Sequence, residues 1–293
     1  MKVAIFNAAG AIGARMVETF HLSGSPQPVA LAPAPAGLAR AARFAVSLKL
    51  VDPASTESLR SALSGCSSMV FAPADEDEPA RIVESAATLA RACAKGAIRR
   101  LVMISEAGPA DRKAAEPEDG AESLPGPMPG PRSAALAEAE AVLLEVRVEH
   151  LPLTIVLRTG TVFGARVPSF AELARGLESG EGPRPLADAP WNGLHLDNLV
   201  AATRAALSAR IIEQRVFTLT DPAAITEEAF RAAVARELGV SAGVATNLPR
   251  EPTEGTAHRI QGFNVEKQLG YRPAVDLAEG LRRSCAWWRH ARD

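Results

Sequence analysis

The turn Asn7-Ala8-Ala9-Gly10-Ala11-Ile12-Gly13 follows the apolar run Lys2 to Phe6 and leads into Ile12, Met16 and Phe20 at helical spacing. A strand, a turn of small residues and a helix start, in that order, present unpaired backbone N–H groups to an anion. Gly10 and Gly13 leave room for a pyrophosphate to come close. The full pattern has glycine at three positions, each three residues apart. Asn7 occupies the first, and asparagine tolerates the left-handed backbone that a glycine would supply there. A second residue with chemical capacity is His195, whose imidazole can exchange protons near neutral pH. It closes the stretch Glu181 to His195, which also holds Asp188 and Trp191. The Trp191 ring could stack on an aromatic or sugar ligand or anchor the loop.

Other chemistries are excluded by composition and spacing. Cys66, Cys93 and Cys285 are far apart and not in CxxC spacing, so neither a disulfide framework nor a zinc site is indicated. His21, His150, His258 and His290 lack metal-ligand spacing, so no metal is expected. There is no P-loop and no GxSxG elbow. Lys and Arg number 32 against 34 Asp and Glu, which gives no electrostatic case for nucleic acid or an anionic membrane. A small-molecule substrate is the partner expected, with a homodimer compatible. Cysteine usage fits the cytoplasm. Asn7 and the glycine turn interrupt the apolar start too early for a signal peptide, and four prolines break the uncharged stretch Leu22 to Ala39 as a membrane span.

The elements that must position these residues alternate along the chain. Strands are expected at Lys2 to Phe6, Pro28 to Ala32, Ala45 to Val51, Ser68 to Ala72, Leu101 to Ser105, Leu153 to Leu157 and Arg215 to Thr220. Helices follow between them, with Ser55 or Thr56 capping the one that carries Leu59 and Leu63, and Ser169 capping the one that carries Phe170, Leu173 and Leu177. Thr226 opens an amphipathic helix to Leu238, and Leu277 to His290 closes the chain with Leu277, Leu281, Cys285 and Trp288 on one face. This alternation predicts right-handed βαβ units: an α/β fold with a doubly wound parallel sheet and a smaller C-terminal substrate lobe. The core is expected over 1–160, with 189–222 returning to it, and the lobe over 161–188 and 223–293. The second strand ends without an acidic residue. Arg40 and Arg43 lie just beyond it and could meet a 2′-phosphate, which tilts an adenine dinucleotide from NAD toward NADP; solvated arginines are the other reading.

The stretches Leu63 to Ala74 (LSGCSSMVFAPA), Ala97 to Gly108 (AIRRLVMISEAG), Leu157 to Gly164 (LRTGTVFG), Leu194 to Ala202 (LHLDNLVAA) and Leu269 to Pro273 (LGYRP) join the glycine turn in a fixed order. In that order the chain resembles the extended and atypical short-chain dehydrogenase/reductase family, which includes the NAD-dependent epimerase/dehydratase group. The resemblance implies that Gly10, Ala11, Ile12 and Gly13 face the pyrophosphate. It implies that Asp52 meets the adenine, that Ala72, Pro73 and Ala74 pass beneath the ribose, and that Thr159 and Val162, after the sixth strand, border the nicotinamide. Asp52 could instead be a turn residue capping the next helix, and Thr159 and Val162 ordinary packing at a strand end. In the family a histidine at the place of His195 often precedes the acidic cap of the next helix, here Asp197 or Asn198.

The family's proton transfer uses a tyrosine and a lysine four residues apart, after a serine or threonine at the end of the fifth strand. Ser105 matches the serine, which orients the substrate oxygen; alone it could simply satisfy local backbone. The later pattern falls on Pro129 to Glu138 (PGPRSAALAE), with Gly130 where tyrosine is expected and Ala134 where lysine is. The chain has one tyrosine, Tyr271, far along the sequence. Two functions follow as expectations. One is an enzyme with an NAD(P)-type cleft, an oxidoreductase or a non-redox isomerase, lyase or cyclase, drawing on Ser105, Glu106, Asp188 and His195. The other is a non-catalytic NAD(P)-binding sensor, regulator or scaffold. The segment between Glu106 and Arg132, rich in proline and acidic residues, is expected as a loop over the cleft.

Overall fold

The computed structural model describes residues 1–74, 77–94, 98–106, 130–145, 153–180, 190–210, 212–221, 225–240 and 263–291. Seven strands form one sheet: β1 (Lys2–Phe6), β2 (Gln27–Ala32), β3 (Ser47–Leu50), β4 (Ser68–Phe71), β5 (Arg100–Glu106), β6 (Leu153–Thr159) and β10 (Val216–Leu219). Their order is β10-β6-β5-β4-β1-β2-β3 and every pairing is parallel. The order reverses at β1, which places a crevice beyond the carboxyl ends of β1 and β4. The expected doubly wound α/β sheet is therefore the fold found.

Both faces are covered, which is why the central strands are apolar throughout. Val3, Ile5, Val102, Ile104, Ile155 and Leu157 pack toward α1 (Ala11–Leu22) and α6 (Leu196–Ser208). Ala4, Phe6, Met69, Phe71, Leu101, Met103 and Val156 pack toward α2 (Thr56–Leu63), α3 (Pro79–Ala94) and α4 (Pro131–Glu145). Each fully buried Leu, Ile or Phe of this kind contributes roughly 1.5–3 kcal/mol. A third cluster joins Phe163, Val167, Phe170, Trp191, Phe230, Val234, Leu281, Cys285 and Trp288. It is built by α5 (Pro168–Ser179), α7 (Glu227–Leu238) and α9 (Leu277–His290), with β7 (Thr161–Phe163), β8 (Pro190–Trp191), β9 (Gly193–His195) and β11 (Ile225–Thr226); α8 (Phe263–Leu269) packs instead with α6. Among the described residues no helix is long and apolar enough to cross a membrane.

Local expectations and structure differ at four places. The run Ala45 to Val51 yields only Ser47–Leu50 as strand, because this edge strand is mostly exposed and pairs on one side alone. Thr159 is the last residue of β6 and Val162 lies within β7, so neither follows the strands freely. Ser169 does not cap α5: Pro168 is its first residue after Val167, since a proline needs no donor there. Neither Asp197 nor Asn198 caps α6, because His195 does. Ser55, Thr226 and Asp276 cap α2, α7 and α9, accepting N–H groups of Ser58, Ala229 and Glu279 at 3.2, 3.1 and 2.8 Å.

Candidate dinucleotide site

Asn7 holds a left-handed backbone, φ 66°, and bends the chain sharply off β1. Gly10 opens α1 as its cap with no side-chain hydrogen bond, and the first turn carries no acidic residue. The leading N–H groups of the helix are thus neither capped by a side chain nor opposed by negative charge. Gly13 is forced by packing: a Cβ there would stand 2.3 Å from the Asn7 carbonyl oxygen and 3.0 Å from Ala8 Cα. At Gly10 a Cβ would reach Ala74 Cβ at 3.3 Å. Ala11 and Ile12 turn their side chains to the third cluster, where Val162 also packs. The Asn7 carboxamide, 8% exposed, is engaged as well, Nδ2 donating to Asp77 Oδ2 at 2.9 Å.

The ends of β4 and β5 are tied together beside this turn. The Ala74 N–H donates to the same Asp77 oxygen at 2.7 Å, and the Ala74 carbonyl accepts from Arg132 Nη1 at 2.7 Å. Arg132 Nε donates to Glu106 Oε1 at 2.9 Å. A continuous polar chain therefore runs from Asn7 through Asp77, Ala74 and Arg132 to Glu106. Ala72 and Pro73 lie buried just before it. Ser105, 3% exposed, has a hydroxyl without a hydrogen-bond partner among the described residues, while its carbonyl accepts from Thr159 Oγ1 at 3.2 Å. Opposite Ser105 in register stands Arg158, which grips Glu140 of α4 through Nε and Nη2 at 2.6 to 3.2 Å. Gly130 accepts the Ala134 N–H at 3.1 Å in the first turn of α4, and the Ala134 side chain is exposed.

His195 ends β9 and is 3% exposed. Its Nδ1 accepts the Asp197 N–H at 3.2 Å, which places the proton of the neutral ring on Nε2. Nε2 is buried with no hydrogen-bond partner among the described residues, beside Gly164 and edge-on to Phe163 at 5.2 Å. Burial pushes its pKa down, the nearby Asp197 opposing. The His195 N–H donates to Asp221 Oδ2 at 2.8 Å, and Asn198 Nδ2 donates to Asp221 Oδ1 at 2.7 Å. Desolvation pushes the Asp221 carboxyl up to about 6 in spite of these bonds. Trp191 is 8% exposed and stacks on Phe230 at 3.8 Å, so it anchors its loop.

The seven strands of the large sheet being parallel, Asn7, Ala72, Asp52, Ser105 and Thr159 share its carboxyl edge, where a doubly wound fold binds its ligand. A model of the NAD(P)H-binding family matches residues 8–164. The chain belongs to the NAD(P)H-binding family. Among solved structures it is similar to the UDP-glucose 4-epimerase of Thermotoga maritima with UDP-glucose, at 18% identity, TM-score 0.77 and 100% of both chains. It is similar to the Thermus thermophilus UDP-glucose 4-epimerase with NAD, at 20% identity and TM-score 0.77 over 99% of this chain and 100% of that one. The NAD-dependent NDP-hexosamine 5,6-dehydratase TunA is similar at 18% identity and TM-score 0.73 over 99% of this chain and 98% of that one. No curated protein matches the sequence.

The residues of this NAD(P)H-binding protein fit the dinucleotide: a left-handed turn, two glycines no side chain could replace without contact, and a helix start with free donors. Of the other expected positions, Asp52 is exposed and its Oδ1 accepts the Ala54 N–H at 3.0 Å, a turn bond, while Ser55 supplies the helix cap. Arg40 is exposed beyond β2, and Arg43 pairs with Glu18 at 3.5 Å. Asp188 lies outside the described residues, as does most of the 106–132 loop. Sequence reading assigns no role to Asp77 or Arg132. Asp77 hides in the acidic run Asp75 to Glu78, where type alone does not say which carboxylate turns inward.

Proposed function

We propose that the chain uses its NAD(P)-binding cleft on a small molecule without the tyrosine and lysine pair of the epimerase/dehydratase group. What supports this is the register of the resemblance, which puts Gly130 and Ala134 where the pair is expected, at the start of α4 with the Ala134 side chain exposed. Tyr271 offers no substitute: it is buried in the core cluster with Val265 and Leu269, and desolvation raises its pKa. When bound, the nicotinamide supplies a site that accepts or returns a hydride. The chain's own part is to hold the pyrophosphate on the N–H groups of Ala11, Ile12 and Gly13, that of Gly10 donating to the Asn7 carbonyl, and to offer groups at the ends of β5 and β6. The Ser105 hydroxyl retains a donor that no group among the described residues uses, suited to a substrate oxygen. Glu106 is the carboxylate beside it, tethered through Arg132 and partly open to solvent. His195, capping α6 and packed against Phe163, serves the lobe's structure in this reading.

Exposed Arg40, with no acidic residue closing β2, supports NADPH over NADH. Titration of both by fluorescence, checked by calorimetry, tests the reading; binding below millimolar, tighter for NADPH, is expected. No binding at millimolar ligand would overturn it. Gly130→Tyr with Ala134→Lys should raise affinity, since lysine adds a donor toward the ribose; an unchanged Kd would place the missing pair elsewhere. A chain that binds dinucleotide yet drives no turnover with NDP-sugars, aldehydes or ketones would be a sensor or scaffold, which the missing pair also favours.

A further inference from the structure

We propose that Asn7 and Asp77 form a tether that sets the pyrophosphate turn in place and thereby the affinity for the dinucleotide, making Asn7 a positioning residue. This rests on the NAD(P)-binding reading above. The left-handed backbone at Asn7 does not by itself call for asparagine, because glycine adopts it at no steric cost. What asparagine adds is a carboxamide, and that carboxamide is buried and bonded to Asp77 Oδ2 at 2.9 Å. The same oxygen takes the Ala74 N–H at 2.7 Å. Asp77 precedes α3, so one carboxylate joins the turn after β1 to the segment after β4.

Two consequences follow from the chemistry of the pair. Ala74 is the residue whose side chain stands against Gly10, and its N–H and carbonyl are both held, by Asp77 and by Arg132. Fixing Ala74 therefore fixes the wall against which the turn closes, and the N–H groups are oriented before any ligand arrives. Asp77 also brings a negative charge close to a site for an anion. Donation from Asn7 and Ala74 spends that charge inside the protein. A glycine at position 7 would restore the family's pattern but release the carboxylate, leaving it one donor short beside the pyrophosphate.

The test uses the full chain with Asn7→Gly, Asp77→Ala, the double variant, and Asn7→Gly with Asp77→Asn. NADH and NADPH affinities are measured by fluorescence at two salt concentrations, and amide exchange at Gly10 and Ala74 is followed without ligand. Asn7→Gly should weaken binding about tenfold, the worth of one charge-assisted hydrogen bond. It should speed exchange at Ala74, and the double variant with Asp77→Ala should be no weaker than the worse single variant. Asp77→Asn in the glycine background should recover part of the loss by removing the freed charge. Glycine affinity equal to or better than that of the unsubstituted protein would overturn the tether, as would single effects that simply add. If the unsubstituted protein binds neither dinucleotide, the cofactor reading falls and the tether with it; a failure of the tether alone is recognised by tight binding in both proteins.

Discussion

At the scale of single residues, the site is shaped as much by atoms that must be missing as by those present. Gly13→Ala would drive a methyl into the Asn7 carbonyl, backbone against backbone with no flexible side chain to yield. The expected cost is at least the ~1–3 kcal/mol of ordinary overpacking, read by urea unfolding, with dinucleotide binding lost in parallel. His195 and Asp221 make a second prediction, for pH. The folded protein keeps the Asp221 proton up to about 6, whereas the unfolded chain releases it near ~4. Unfolding then releases a proton across that window, so this group's contribution is full below it and lost as pH rises through it, about 3 kcal/mol at most. His195 acts in the opposite sense: burial lowers its folded pKa, so its contribution is lost as pH falls through the unfolded value near ~6.5. Unfolding free energies from pH 4 to 8 should carry the Asp221 fall with rising pH in the unsubstituted protein, and in Asp221→Asn should lose it while the opposite His195 slope remains. An unchanged slope would mean that Asp221 ionises normally in the fold.

Among elements, the junction of β8 and β9 shows how a short, weakly paired piece is held by side chains. β8 and β11 pair over two residues, Ile225 with Trp191 and Thr226 with Pro190, too few to persist alone. Trp191 supplies the missing stability by stacking on Phe230 and packing on Phe163. Its ring occupies the space a side chain at Gly193 would need, with a Cβ there only 1.8 Å from Cη2. Gly193→Ala should therefore eject the ring and cost about 3 kcal/mol or more, visible as a red shift of tryptophan emission before global unfolding. Trp191→Phe, which keeps an aromatic stack in less volume, should cost less, because it leaves a cavity without a clash.

For the molecule as a whole, Asn198 is the hub that joins α6 to Asp221, just beyond β10, and to the segment before α9. Its Nδ2 donates to Asp221 Oδ1 and to the Val275 carbonyl, both at 2.7 Å, and its Oδ1 accepts from Ala274 and Val275 N–H groups at 3.1 and 3.0 Å. These bonds hold the segment before α9 against α6. Arg283 of α9 and Arg15 of α1 add ion pairs to Asp197 at 3.2 and 2.8 Å, each partly exposed and worth about 1 kcal/mol or less. Asn198→Ala would leave the buried Asp221 carboxylate with only the His195 N–H among the described residues and take the partners from the buried Val275 N–H and carbonyl, so a loss of ~3–5 kcal/mol is expected. Denaturant unfolding followed by tryptophan fluorescence, reporting α9, checks it; a loss below ~1 kcal/mol would show that water replaces the amide freely.

The parallel sheet was legible in the sequence because its strands are buried on both faces and read as unbroken apolar runs, such as Leu101 to Ile104 between helical stripes. The glycine turn was legible because a tight approach to an anion admits few residue types. Other features were decided only by the tertiary structure. Which carboxylate of Asp75 to Glu78 turns inward depends on a partner seventy residues away, Asn7. Whether His195 is a proton carrier or a cap depends on the Phe163 ring and the Asp197 N–H that surround it. Asn7 makes the distinction clearest. Its identity shows a missing glycine, but a hydrogen bond is a property of two positions, and only folding brings the second one within 2.9 Å.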